Sequence, residues 1–172
     1  MKPKRLVTIA MLVAMYVVLS LFGTIRLGSM NISVARLPII VGGALFGPID
    51  GLLIGLLGSF MEQMLTYGIT VTTPLWMIPA TVRGLMVGAF AKHHGFEMSF
   101  KQTQFITILS ALVVTAINTV VMYLDAKIYG YYTFAGVFGT VVPRIISGVI
   151  TAFILGALLP YIVKPLRKFL SK

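Results

Sequence analysis

Long apolar blocks dominate this chain where a water-soluble protein would show short amphipathic periods. They cover about Leu6 to Ile25, Leu37 to Gly47, Gly51 to Leu65, Leu75 to Ala91, Thr103 to Leu124 and Phe134 to Val163. Blocks of this kind predict membrane-spanning helices, because a helix satisfies its own backbone polar groups where no water reaches them. The weakest boundary separates the second block from the third. There Gly47-Pro48 with Ile49-Asp50-Gly51 makes a turn between two short helices. Joined as one bent helix, the same two blocks would leave five spans.

The positions of Lys and Arg choose between five and six. Six spans place both termini and the fourth-to-fifth connection on one side. That side then holds Lys2, Lys4, Arg5, Lys92, Lys101, Lys164, Arg167, Lys168 and Lys172, against Arg26, Arg36 and Lys127 opposite. Cytoplasmic ends of membrane helices are enriched in positive charge. The sequence therefore predicts an all-α membrane protein of six transmembrane helices, both termini cytoplasmic, with residues 1–172 forming one domain.

Composition agrees, at 58% hydrophobic and 10% charged residues and a mean hydropathy of +1.00, far more apolar surface than a soluble domain hides. The net charge of +10 lies at span ends, not on a basic face interleaved with stacking aromatics, which excludes nucleic acid as a partner. Absence of cysteine excludes disulfides, thiolate catalysis and cysteine-based metal sites. Met1-Lys2-Pro3-Lys4-Arg5 before a run of about twenty apolar residues mimics a signal peptide, but no small-residue cleavage site closes the run, so a retained first helix is expected.

Two connections on the far side have their own character. From Ile25 to Ala35 the chain alternates around Asn31-Ile32-Ser33-Val34, which predicts an extended segment or hairpin. Thr66 to Pro74, TYGITVTTP, is uncharged and β-branched, suited either to capping a pocket or to a plain connection. Small residues recur at helical spacing as Ala10 and Ala14, then Gly51, Gly55 and Gly58-Ser59. Such spacing lets helix backbones approach closely in lipid. For the glycines internal packing is expected; for Ala10 and Ala14 packing and a docking surface for another membrane subunit remain equal alternatives.

Ionisable groups inside apolar spans are costly and need a partner or a wet cavity. Arg83 lies near mid-membrane, about 13 Å into the fourth helix at 1.5 Å per residue. Trp76, Ala80 and Arg83 share a face, placing an aromatic ring above the cation. On the fifth helix Asn118, Met122 and Asp125 share a face, and Arg144 occupies a similar depth on the sixth. Either arginine has an internal alternative, pairing with Glu62 or Asp125. Two arginines facing few acids nevertheless favour a substrate with a carboxylate or phosphate, which suits the planar guanidinium fork.

Other chemistry is missing. No G-x-x-x-x-G-K-[ST] loop provides nucleotide hydrolysis. His93-His94 has no third ligand at metal spacing, and no histidine lies within a span to activate Ser59, Ser110 or Ser147. Neither catalysis nor a cofactor is expected.

The length, the six spans, Ala10-x-x-x-Ala14, Leu45-Phe46-Gly47-Pro48-Ile49-Asp50-Gly51 followed by Gly55, and a proline-containing loop leading to Arg83-Gly84 together resemble the S components of energy-coupling factor (ECF) vitamin transporters. The resemblance spans essentially the whole chain. It implies a vitamin bound near the outer face, with a transmembrane coupling subunit and two cytosolic ATPases as partners. It also implies docking through Ala10 and Ala14, toppling in the bilayer to release cargo, and residence in a prokaryotic plasma membrane. Thr81-Val82-Arg83-Gly84 and Ile117-Asn118-Thr119 look most like pantothenate-type members, with folate- and cobalamin-type members as alternatives. The competing class is an autonomous channel or secondary transporter, for which no internal repeat is evident.

Overall fold

The computed structural model describes residues 3–27 and 30–170. Its elements, in chain order, are α1 (Pro3–Phe22), β1 (Thr24–Leu27), β2 (Met30–Ser33), α2 (Leu37–Phe46), α3 (Pro48–Thr66), α4 (Thr73–His93), α5 (Phe100–Ile128), the short α6 (Phe134–Phe138) and α7 (Val141–Leu170), with a 3-10 turn at Val34–Arg36. The fold is thus a six-helix bundle with one added turn of helix and a small hairpin. On length and composition α1, α4, α5 and the α6–α7 stretch each suffice to cross a bilayer. Helix α2 is only about 15 Å long at 1.5 Å per residue. It is apolar on every side and buried from Pro38 to Ala44, forming the hub of the bundle.

Local chemistry explains the breaks. Gly47 has φ +98, a conformation open to glycine, and Pro48 starts α3 where its missing N–H costs nothing. The break predicted there is present, but only α2 is short at 10 residues; α3 has 19 and begins at Pro48 instead of Gly51. Ser99 and Gln102 form a reciprocal cap that starts α5. The single block expected from Phe134 to Val163 is corrected: Thr133 caps the five-residue α6, and α7 then runs on to Leu170 through Pro160 and Pro165. Arg167 and Lys168 in its last turn complement the helix dipole.

The core joins Ile9, Leu12, Val13, Tyr16 and Val17 of α1 to Ile39–Val41 and Ala44 of α2, Ile54, Val87, Ile106, and Leu155, Leu159 and Val163 of α7. Large apolar side chains also face outward, including Leu6, Val7, Met11, Met15 and Val18 on α1 and Phe153 and Leu158 on α7. Lipid is the solvent that tolerates them. Helices α2, α3 and α4 meet backbone to backbone. A methyl group at Gly84 would overlap the Gly51 carbonyl, one at Gly55 the Ala80 carbonyl, and one at Gly43 would lie 3.0 Å from the Gly84 oxygen. The predicted packing role of Gly51 and Gly55 is met here, and Gly58 receives the Tyr16 ring.

Contacts define two ends. Arg5 pairs with Asp50 and donates to the Phe46 carbonyl, the Phe96 ring rests on Gly47, and Arg167 donates to the Phe96 carbonyl. The start of α1, the end of α7, the α2–α3 turn and the α4–α5 loop therefore lie together. The hairpin, the 67–72 loop and residues 129–133 lie at the opposite end.

Candidate functional site

The expected hairpin exists, with Thr24 paired to Ser33 and Arg26 to Asn31, and β2 packs against α7. The Thr24 and Ser33 hydroxyls lie 2.8 Å apart, and the Ser33 hydroxyl also accepts from the Ala35 N–H at 3.3 Å. This fixes the chain's entry into the 3-10 turn that carries Arg36. Across the same end, the Thr73 hydroxyl accepts from the Thr70 N–H at 2.8 Å and lies 3.1 Å from the Thr70 hydroxyl. Thr72 and Thr73 are buried while Tyr67, Ile69 and Val71 point out. The 67–72 loop is thus tied to the start of α4 by the Thr70–Thr73 contacts.

Trp76 does not stand alone above Arg83. Its indole N–H donates to Asp125 at 3.2 Å, and Asp125 also accepts from the Tyr131 hydroxyl. That carboxylate pushes the Tyr131 phenol up to about 12. Asp125 is itself buried, so the group of Trp76, Asp125 and Tyr131 ties α4, α5 and the 129–133 connection into one unit. Asn118 and Met122 are half-buried on the same face of α5, deeper than Asp125. Asn118 makes no hydrogen bond among the described residues.

Arg144 is half-buried, and its guanidinium donates to the Val137 carbonyl at 2.8 Å and the Thr140 carbonyl at 3.2 Å. It bridges the break between α6 and α7. The pairing of either arginine with Glu62 or Asp125, held open above, is not formed among the described residues. Ala10 and Ala14 are exposed on α1, between Met11, Met15 and Val18.

Arg83 is 3% exposed and makes neither a hydrogen bond nor an ion pair among the described residues. Around it gathers a group that helix periodicity could not assemble. Tyr16 of α1 is buried and donates from its hydroxyl to Glu62 of α3. Arg36, ahead of α2, lies within electrostatic range of Tyr16 and Glu62. Arg83 lies within range of Arg36 and Tyr16. Four elements thus bring two cations, one carboxylate and one phenol to the half of the bundle nearer the hairpin. Its glycine face explains the closeness, since the Tyr16 ring occupies the space a side chain at Gly58 would need. The sequence signal for Tyr16 was its being the one tyrosine of α1. Arg36 was legible only as loop charge.

Arg83 is thus a buried guanidinium without a hydrogen bond or ion pair among the described residues, inside a small helical membrane bundle. A family model described as "ECF-type riboflavin transporter, S component" matches residues 1–166. The chain belongs to the S components of ECF transporters, substrate-binding transport subunits and not enzymes. Solved structures of similar fold include the S component of a bacterial ECF transporter, with a TM-score of 0.69 at 19% identity over 100% of both chains. FolT bound with folic acid gives 0.66 at 22% identity, covering 94% of this chain and 95% of that one. The S component for biotin from an ECF-type ABC transporter gives 0.60 at 16% identity, covering 97% and 92%.

Proposed function

We propose that this chain captures a carboxylate-bearing vitamin, pantothenate, at Arg83 and presents it to an energised partner complex. One observation carries the reading: Arg83 is buried among helices with no anion of the protein's own bound to it among the described residues. A buried guanidinium in lipid is costly unless something answers it, and a carboxylate matches its fork. Asn118, Met122 and Trp76 are the neighbouring side chains that would contact the rest of a small ligand, while Asp125 holds Trp76 in place and Arg144 supports the wall at α6. The basic end of the bundle is the cytoplasmic one in this reading, so the 67–72 loop faces outward and covers the site. Exposed Ala10 and Ala14 are the docking stripe for a transmembrane coupling subunit that carries two ATPases.

Riboflavin is the second reading, favoured by the description of the matching family model. A flat uncharged ring suits Trp76, but it leaves Arg83 unanswered. In liposomes the lone chain is expected to bind labelled pantothenate without moving it inward. Uptake is expected only when the coupling subunit, both ATPases and ATP are present. Net uptake by the lone chain would make it an autonomous transporter and end the proposal.

A further inference from the structure

Away from Arg83, a cavity of about 450 Å³ opens between the α4–α5 loop and the last turns of α7. That volume falls within the roughly 300–1,000 Å³ of small-ligand sites. None of Tyr16, Arg36, Glu62, Trp76 and Arg83 lines it. Its apolar wall is Met98 with the buried Leu159 and Val163. Its polar wall carries Lys164 and Arg167, and Ser99 brings the start of α5 to the same space. A helix start adds partial positive charge there.

The two cations are held differently. Arg167 donates to the Phe96 carbonyl, which fixes the guanidinium at the cavity and leaves the rest of its five-donor fork unused among the described residues. Phe96 itself is set firmly: its φ of 64 follows a Gly95 φ of 60, and its ring rests on Gly47. Lys164 is exposed and makes no hydrogen bond or ion pair among the described residues. Glu97 also lines the cavity, but it is exposed and pairs with neither cation.

We propose that this cavity binds the phosphodiester headgroup of an anionic phospholipid. Tyr161, 80% exposed and three residues before Lys164, stands where aromatic side chains mark the membrane interface. Lys164 and Arg167 therefore lie at headgroup level. The guanidinium fork matches phosphate oxygens, and the lysine adds a point charge. Basic pockets between membrane helices take acidic headgroups on the cytoplasmic side, where the reading above places this end. The apolar wall suits the glycerol and first methylenes of a lipid, for which a free phosphate has no counterpart.

The test is native mass spectrometry of the full chain in detergent, titrated with phosphatidylglycerol and separately with phosphatidylcholine of the same acyl chains. Wild type is expected to retain one phosphatidylglycerol about tenfold more tightly than phosphatidylcholine, the combined share of two basic residues. Lys164→Gln is expected to weaken phosphatidylglycerol about fivefold and to leave phosphatidylcholine unchanged. It alters an exposed side chain, so its melting curve should match wild type. Lys92→Gln removes the same charge at the same end but outside the cavity, and is expected to change neither lipid. Millimolar glycerol 3-phosphate is expected not to displace the lipid. Equal retention of the two lipids, the result for a cavity that a partner protein's segment fills instead, overturns the proposal. So do equal losses in the two variants, or displacement by glycerol 3-phosphate. Pantothenate enters none of these readouts, so failure of capture at Arg83 would leave them standing.

Discussion

Arg83→Met is expected to abolish high-affinity vitamin binding while leaving the protein as stable as wild type, or more so. The two effects separate because they have different origins. A charge-assisted bidentate pair with a ligand carboxylate contributes about 3 kcal/mol, and its loss corresponds to roughly a hundredfold or more in Kd. Stability behaves oppositely. Among the described residues Arg83 has no protein partner to orphan, and an apolar side chain of similar length removes a buried charge that the empty protein leaves uncompensated. Ligand titration and a thermal melt on the same preparation check both. Intact binding, or a collapse in stability, would make Arg83 a structural residue.

The second large effect is on the helix seam. Gly84→Val is expected to prevent assembly of the folded bundle, and Gly84→Ala to cost about 3 kcal/mol or more. The first atoms a Cβ would meet are the Gly51 carbonyl and the Leu52 nitrogen, all backbone. No side chain can rotate aside, so α3 and α4 must separate. In a bilayer that loss is large, because close packing is what holds helices together there. Gly148→Ala supplies the control, since its Cβ would meet only the Thr115 hydroxyl at an ordinary 3.4 Å. Size-exclusion profiles and melting curves should show loss for Gly84 variants and little change for Gly148→Ala. Equal behaviour of the two would dismiss the seam.

Much of this architecture was readable from local chemistry. The break at Gly47-Pro48 is visible because proline and glycine act through their own backbones. The hairpin after α1 was legible in the alternation around Asn31-Ile32-Ser33, and Arg83 in its rarity inside an apolar run. What escaped was whatever depends on distant segments. Phe134 to Val163 reads as one span, yet a Thr133 cap and the Arg144 guanidinium at the Val137 carbonyl divide it.

The same limit governs the site. Tyr16 and Glu62 lie 46 positions apart, and no periodicity on either helix joins them. Trp76 was assigned to Arg83 because both share a face of α4, but its N–H goes to Asp125 on another helix. Which of two outward faces a helix buries is also a tertiary matter. The sequence left Ala10 and Ala14 between packing and docking, and the surrounding core of Ile9, Leu12, Val13 and Tyr16 turns them toward lipid.

The most direct test of the central claim is calorimetric titration of the purified wild-type chain, without any partner, with pantothenate and separately with riboflavin. Capture of a carboxylate at Arg83 predicts saturable one-to-one binding of pantothenate with a Kd below about 1 μM, or roughly 8 kcal/mol. No heat with pantothenate, with tight binding of riboflavin in its place, would contradict it.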